Sequence, residues 1–110
     1  MRIWLIGADM RGVQALRQLF KNQRIDVIVS DSSERPRAVV DGLIAQVDYV
    51  ERVTTLNINQ MARRIQPDLI LIDAGALDRH WGHVTGGSAL AEAMTQEMAA
   101  ASEYPCLILG

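Results

Sequence analysis

Five short apolar runs alternate with stretches whose apolar residues recur at three- and four-residue steps, and this alternation limits the possible folds more than any other feature. The runs are residues 3–6, 26–30, 49–53, 68–73 and 106–109. Short runs rich in Ile, Leu and Val, without polar alternation, are what strands buried on both faces require. "DLILID" (68–73) is the clearest of them and "YVERV" (49–53) the weakest.

Between the runs lie helical stripes. Met10, Val13, Leu16, Leu19 and Phe20 mark one helix over roughly 10–22, and Val39, Val40, Leu43, Ile44 and Val47 mark a second. Ser32 or Ser33 is placed to cap that second helix, with Pro36 in its first turn. Ile58, Met61, Ala62 and Ile65 stripe a third helix, opened by Asn57 and Gln60 in the spacing of a capping box and ended at Pro67. Leu90, Met94, Met98 and Ala101 stripe the last, to about Glu103. The polar, glycine-containing stretch 74–88 reads as a loop, long enough to serve as a lid over the strand ends.

Strands alternating with amphipathic helices imply right-handed crossovers and a parallel sheet covered on both faces. The expected class is therefore a doubly wound α/β fold of five strands. With 110 residues, 49% of them apolar and 22% charged, the chain is one ordinary domain. A net charge of −2, with Lys21 the single lysine and no basic run, supplies no footprint for nucleic acid or an acidic membrane. The one cysteine, Cys106, sits in an apolar run, which excludes a disulfide framework and points to core packing. No signal peptide or spanning segment is visible, so a cytoplasmic protein is expected.

The first run ends in "GADMRG" (7–12), where a dinucleotide-binding protein carries G-x-G-x-x-G. In that fingerprint the first glycine makes the turn, the second admits the pyrophosphate and the third lets helix and strand pack closely. Gly7 and Gly12 fit the first and third roles. Asp9 replaces the second, bringing a side chain and a negative charge to the helix N-terminus that would attract phosphate. It either caps the helix by accepting backbone N–H bonds or forms part of an acidic site. Asp31 ends the second run 24 residues after Gly7, where an acid bonds a ribose hydroxyl in such folds. The alternative is that Asp31, Ser32 and Ser33 merely form a turn and cap a helix.

With these two features the chain resembles the Rossmann-type NAD(P)-binding superfamily. The resemblance implies strand order 3-2-1-4-5 and a phosphate loop of Gly7, Ala8, Asp9, Met10, Arg11 and Gly12. It places the adenosine ribose at Asp31 and Ser32. Arg35 and Arg37 leave NAD against NADP open, since relatives that take a 2′-phosphate carry an arginine there. Asp73 and Ala74, after the fourth strand, would fall beside the first loop. The implied function is binding of NAD, NADP or another adenine nucleotide by the N-terminal domain of a longer protein, such as an oxidoreductase, without complete catalytic machinery in this chain. Two alternatives stand beside it: a ligand-free interaction module, with a homodimer as one form, and a Mg²⁺ and phosphate site on Asp9, Asp31 and Asp73.

Other features carry less. "PDLILID" resembles the strand that ends in the phosphoacceptor aspartate of receiver domains, but receivers need a lysine near the end of their last strand and none is there. Asp78, His80 and His83 offer zinc-type donors in the long loop. "TGGS" (85–88) is either an anion-binding turn or the cap of the last helix, through Ser88. No G-x-x-x-x-G-K-[ST] and no nucleophilic triad is recognisable.

Overall fold

A computed structural model describes residues 1–76 and 87–109 of the chain. The elements in order are β1 (Arg2–Ile6), α1 (Met10–Leu19), β2 (Asp26–Asp31), α2 (Arg37–Val40), β3 (Tyr49–Val50), α3 (Ile58–Ile65), β4 (Leu69–Asp73), α4 (Gly87–Ala101) and β5 (Cys106–Leu109). The five strands form one sheet in the order β3-β2-β1-β4-β5, every pair parallel. This is the Rossmann-like α/β arrangement, with the expected strand order. β1 is central, hydrogen-bonded to β2 on one side and β4 on the other.

Side chains alternate across the sheet and build two cores. Trp4, Ile6, Ile70 and Ile72 face α3 and α4, where they meet Ile58, Met61, Ile65 and Met98. Ile3, Leu5, Val29 and Leu71 face α1 and α2, against Val13, Leu16 and Ala38. Leu5, Leu16, Ile58, Ile70 and Ile72 are fully buried, and each aliphatic side chain so placed stabilises the fold by roughly 1.5–3 kcal/mol. Trp4, also fully buried, satisfies its one polar atom by donating Nε1–H to Ser30 Oγ at 2.9 Å.

Several elements are shorter than the sequence pattern predicts. α1 stops at Leu19 rather than near 22, because the amides of Lys21 and Asn22 turn back to Gln18 and Leu19 carbonyls. α2 has a single turn, Arg37–Val40, where the stripe predicts a helix reaching Val47. Gly42 is the reason: at φ +76 it breaks the α path just after the turn, while Leu43, Ile44 and Val47 still pack on the core from irregular backbone. Pro36 is the N-cap of α2, not a member of its first turn, and neither serine caps it. β3 keeps two residues of the expected five, pairing only through Ser30↔Tyr49 and Asp31↔Val50.

The capping box at α3 does not form. Asn57 Oδ1 instead accepts the Thr54 amide at 2.7 Å, and its Nδ2 donates to the Arg52 carbonyl, so the side chain ties down the preceding loop. α3 ends as predicted before Pro67, with Gln66 in the left-handed region at φ 57. After β4 the expected loop is absent at its start, since the backbone is already helical at 74–76. At the other end α4 begins at Gly87, so Ser88 lies inside the helix and not ahead of it. The lid reading and the donors Asp78, His80 and His83 fall outside the described residues. Among those described, no helix is long and apolar enough to cross a membrane.

Cys106 is half-buried on β5, and burial pushes its thiol pKa up. Because the thiolate is the reacting form, alkylation by iodoacetamide is expected to be slower than that of a free cysteine and to keep rising with pH beyond the ordinary thiol range. A reaction midpoint below that of free cysteine would contradict this.

Candidate functional site

In open parallel sheets, ligands bind beyond the strand C-termini where the order reverses, which here is the gap between β1 and β4. The turn after β1 leads into α1 at that point. Gly7 donates its amide to the Ser30 carbonyl at 2.7 Å and adopts φ +88. A Cβ there would lie 2.7 Å from Ala76 Cβ, so both backbone angle and space demand glycine. At Gly12 a Cβ would lie 2.6 Å from the Gly7 carbonyl oxygen. The first turn of α1 rests directly on the end of β1, which is the close-packing role of the third glycine.

Asp9 is the N-cap residue of α1 in extended conformation (φ −93, ψ −151), yet its side chain makes no capping bond. Its Oδ1 lies 3.5 Å from Arg37 Nε. The caps come from other strands. Asp73, the last residue of β4 and fully buried, places Oδ2 at 2.9 Å from the amides of both Asp9 and Gly12. Its Oδ1 accepts the Gly75 amide, also at 2.9 Å. Asp31, the last residue of β2 and 3% exposed, accepts the Ala8 amide on Oδ2 and the Ser33 amide on Oδ1, both at 2.9 Å. The amides of Ala8, Asp9 and Gly12 therefore donate to the protein's own carboxylates. The amides of Met10 and Arg11 have no acceptor among the described residues.

The negative charge of Asp73 sits where the helix macrodipole presents its positive end. Like a bound phosphate in a nucleotide site, it offsets the dipole and accepts orphan amides, here those of Asp9 and Gly12. The sequence reading brings Asp73 to the loop, where its hydrogen bonds to Asp9 and Gly12 put it, but treats it as part of a ligand site and not as the loop's own acceptor. The parallel pairing of β1 with β4 sets this approach: Ile6 is in register with Ile72, so the next residue of β4 reaches the turn.

Beside this seat a shallow cleft opens at the sheet edge, lined by Ile6, Gly7, Asp31, Ser32, Glu51, Arg52, Val53, Asp73 and Ala76. Its space is about 380 Å³, part of it open to solvent. A ligand here would lie against the edge and remain partly in solvent. Among the described residues, three carboxylates and one guanidinium line it. The cleft brings together Gly7, Asp31, Ser32 and Asp73 of the predicted residues and adds Glu51, Arg52 and Val53. These three leave the end of β3, a strand too weakly patterned for the sequence alone to place them at this edge.

The remaining candidates stay at the periphery. Met10, Arg11 and Arg35 are exposed, and Arg37 is held by Asp9. Ala74 continues the chain beyond Asp73 in helical backbone, half-buried. Asp9 does not join Asp31 and Asp73 in a metal-ligating group, and among the described residues no cluster of three or more His, Cys, Asp or Glu side chains is arranged to hold a metal ion. Comparison with known proteins returned no matching family model, no matching curated protein and no matching solved structure.

Proposed function

We propose that this Rossmann-like domain binds the nucleoside portion of an adenine nucleotide in the cleft at the ends of β1, β2 and β3. The observation that carries the reading is the placement of Asp31. It closes β2 at the cleft wall, where such folds offer a carboxylate to ribose hydroxyls. Ile6 and Val53 supply apolar surface for one face of a base. Full NAD or NADP binding, and a role in an oxidoreductase, would extend this reading toward α1 and the exposed Arg35.

The open geometry implies weak binding. Titration calorimetry with adenosine is expected to give a dissociation constant of about 0.1–1 mM, and Asp31→Asn should weaken it further. Absence of heat with adenosine, AMP, NADH and NADPH alike would sink the nucleoside reading.

A second reading, a ligand-free association module, is favoured by β5. Leu107 is in register with Leu71 on the α1 side of the sheet, yet 54% exposed. Edge strands with uncovered apolar side chains pair readily with another chain. Sedimentation across a concentration series separates the two: this reading expects a dimer that Leu107→Lys dissolves, and a strict monomer would remove it.

A further inference from the structure

We infer that Asp73 sets the ligand class of the cleft, admitting an unphosphorylated nucleoside and discriminating against its phosphorylated forms. The inference rests on the nucleoside reading above and adds to it the ligand's charge. In a phosphate-binding loop, the amides at a helix N-terminus face the anion and the dipole favours it. Here the Asp9 and Gly12 amides meet at one carboxylate oxygen, each at 2.9 Å. Asp73 is fully buried and anchored a third time through Gly75, so it is not a surface side chain that a ligand displaces at no cost.

An incoming phosphate would meet two further disadvantages. Among the described residues, Asp31 and Glu51 also line the cleft, against Arg52 as the one cationic side chain, so this part of the wall carries excess negative charge. Asp73 Oδ2 already occupies the position in front of the Asp9 and Gly12 amides that a phosphate oxygen would take. Like charges a few ångströms apart near a protein surface repel strongly enough to change affinity by at least about tenfold. A neutral ligand avoids this repulsion.

The experiment compares adenosine, AMP and ADP on the wild-type protein and on Asp73→Asn, which keeps an oxygen for the amides but removes the charge. Wild-type protein is expected to bind AMP and ADP no more tightly than adenosine. Asp73→Asn should raise the ratio of AMP to adenosine affinity by about tenfold. AMP or ADP binding wild type about tenfold more tightly than adenosine, or an unchanged ratio in the variant, would overturn the inference. A parallel titration with inorganic phosphate, followed by the amide NMR shifts of Met10, Arg11 and Gly12, is independent of the nucleoside reading. If no nucleoside binds, that reading falls. The inference about Asp73 then stands if phosphate moves these amides in Asp73→Asn alone, and falls if it moves them in the wild type or in neither. Should the variant fail to fold, the wild-type phosphate titration still decides, because saturable shifts there contradict a filled seat.

Discussion

Replacing Asp73 with alanine is expected to destabilise the protein by about 3–4 kcal/mol, the largest effect of any single polar substitution at the sheet edge. Three backbone amides, those of Asp9, Gly12 and Gly75, lose one buried charged acceptor together. Hydrogen bonds to a charged group contribute about 1.5–3 kcal/mol each, and a buried donor left unpaired carries its own desolvation penalty. Water can reach part of the emptied space, so the losses do not sum in full. For a domain of this size the expected fall in Tm is roughly 12–15 °C. Asp73→Asn, which retains an oxygen, should lose about half as much. Thermal or urea unfolding followed by circular dichroism measures both. A loss under about 1 kcal/mol for the alanine variant would mean that the seat is hydrated or mobile rather than closed by this side chain.

Gly12→Ala gives the second large effect, and its sign separates two causes. On helix propensity alone, alanine in α1 should stabilise by about 0.8–1 kcal/mol. The structure expects the reverse. The new Cβ would sit 2.6 Å from the Gly7 carbonyl oxygen and 3.1 Å from Asp73 Oδ2, and both are fixed, the first by backbone and the second by its amide bonds. α1 would have to lift from the end of β1, loosening the Asp73 bonds as it moves. Overpacking of this kind costs about 1–3 kcal/mol, so a net loss of about 1 kcal/mol, and at most about 2, is expected after the propensity gain. Combined with Asp73→Ala, the two losses should be clearly less than additive, since both act on the same contact. A double variant that is fully additive, or a Gly12→Ala protein more stable than wild type, would contradict the proposed packing.

These two residues show how far the sequence could be read. Gly12 declares its role through spacing alone, because the third glycine of the motif has a local purpose in packing helix on strand. Gly7 does likewise at the turn. Asp73 is different: its position at the end of a strongly apolar strand is legible, and the strand order 3-2-1-4-5 brings it to the loop, but the rotamer that turns its carboxylate onto α1 depends on residues 61 positions apart in the chain. Asp9 is misread as the cap for a related reason. Sequence favours the nearest acid, whereas a fully buried carboxylate from a neighbouring strand wins over a partly buried one drawn toward Arg37.

Elsewhere the failures are of strength, not of kind. All five strands occur where expected, yet β3 reaches only two residues because alternating Glu51 and Arg52 leave little apolar surface to bury. The second helix loses most of its length to the Asp41–Gly42 step, whose turn-forming character outweighs the stripe that follows. The stripe still does its packing work without helical backbone.

Amide hydrogen exchange at α1, measured on the protein without added ligand, tests the central claim most directly. If Asp73 fills the seat, the amides of Asp9 and Gly12 exchange slowly, whereas those of Met10 and Arg11, which have no acceptor among the described residues, exchange fast. Asp73→Ala should bring Asp9 and Gly12 to the rate of their neighbours. Fast exchange at all four amides in the wild type, with protection appearing only when a nucleotide is added, would contradict the account and restore the loop as an open phosphate site.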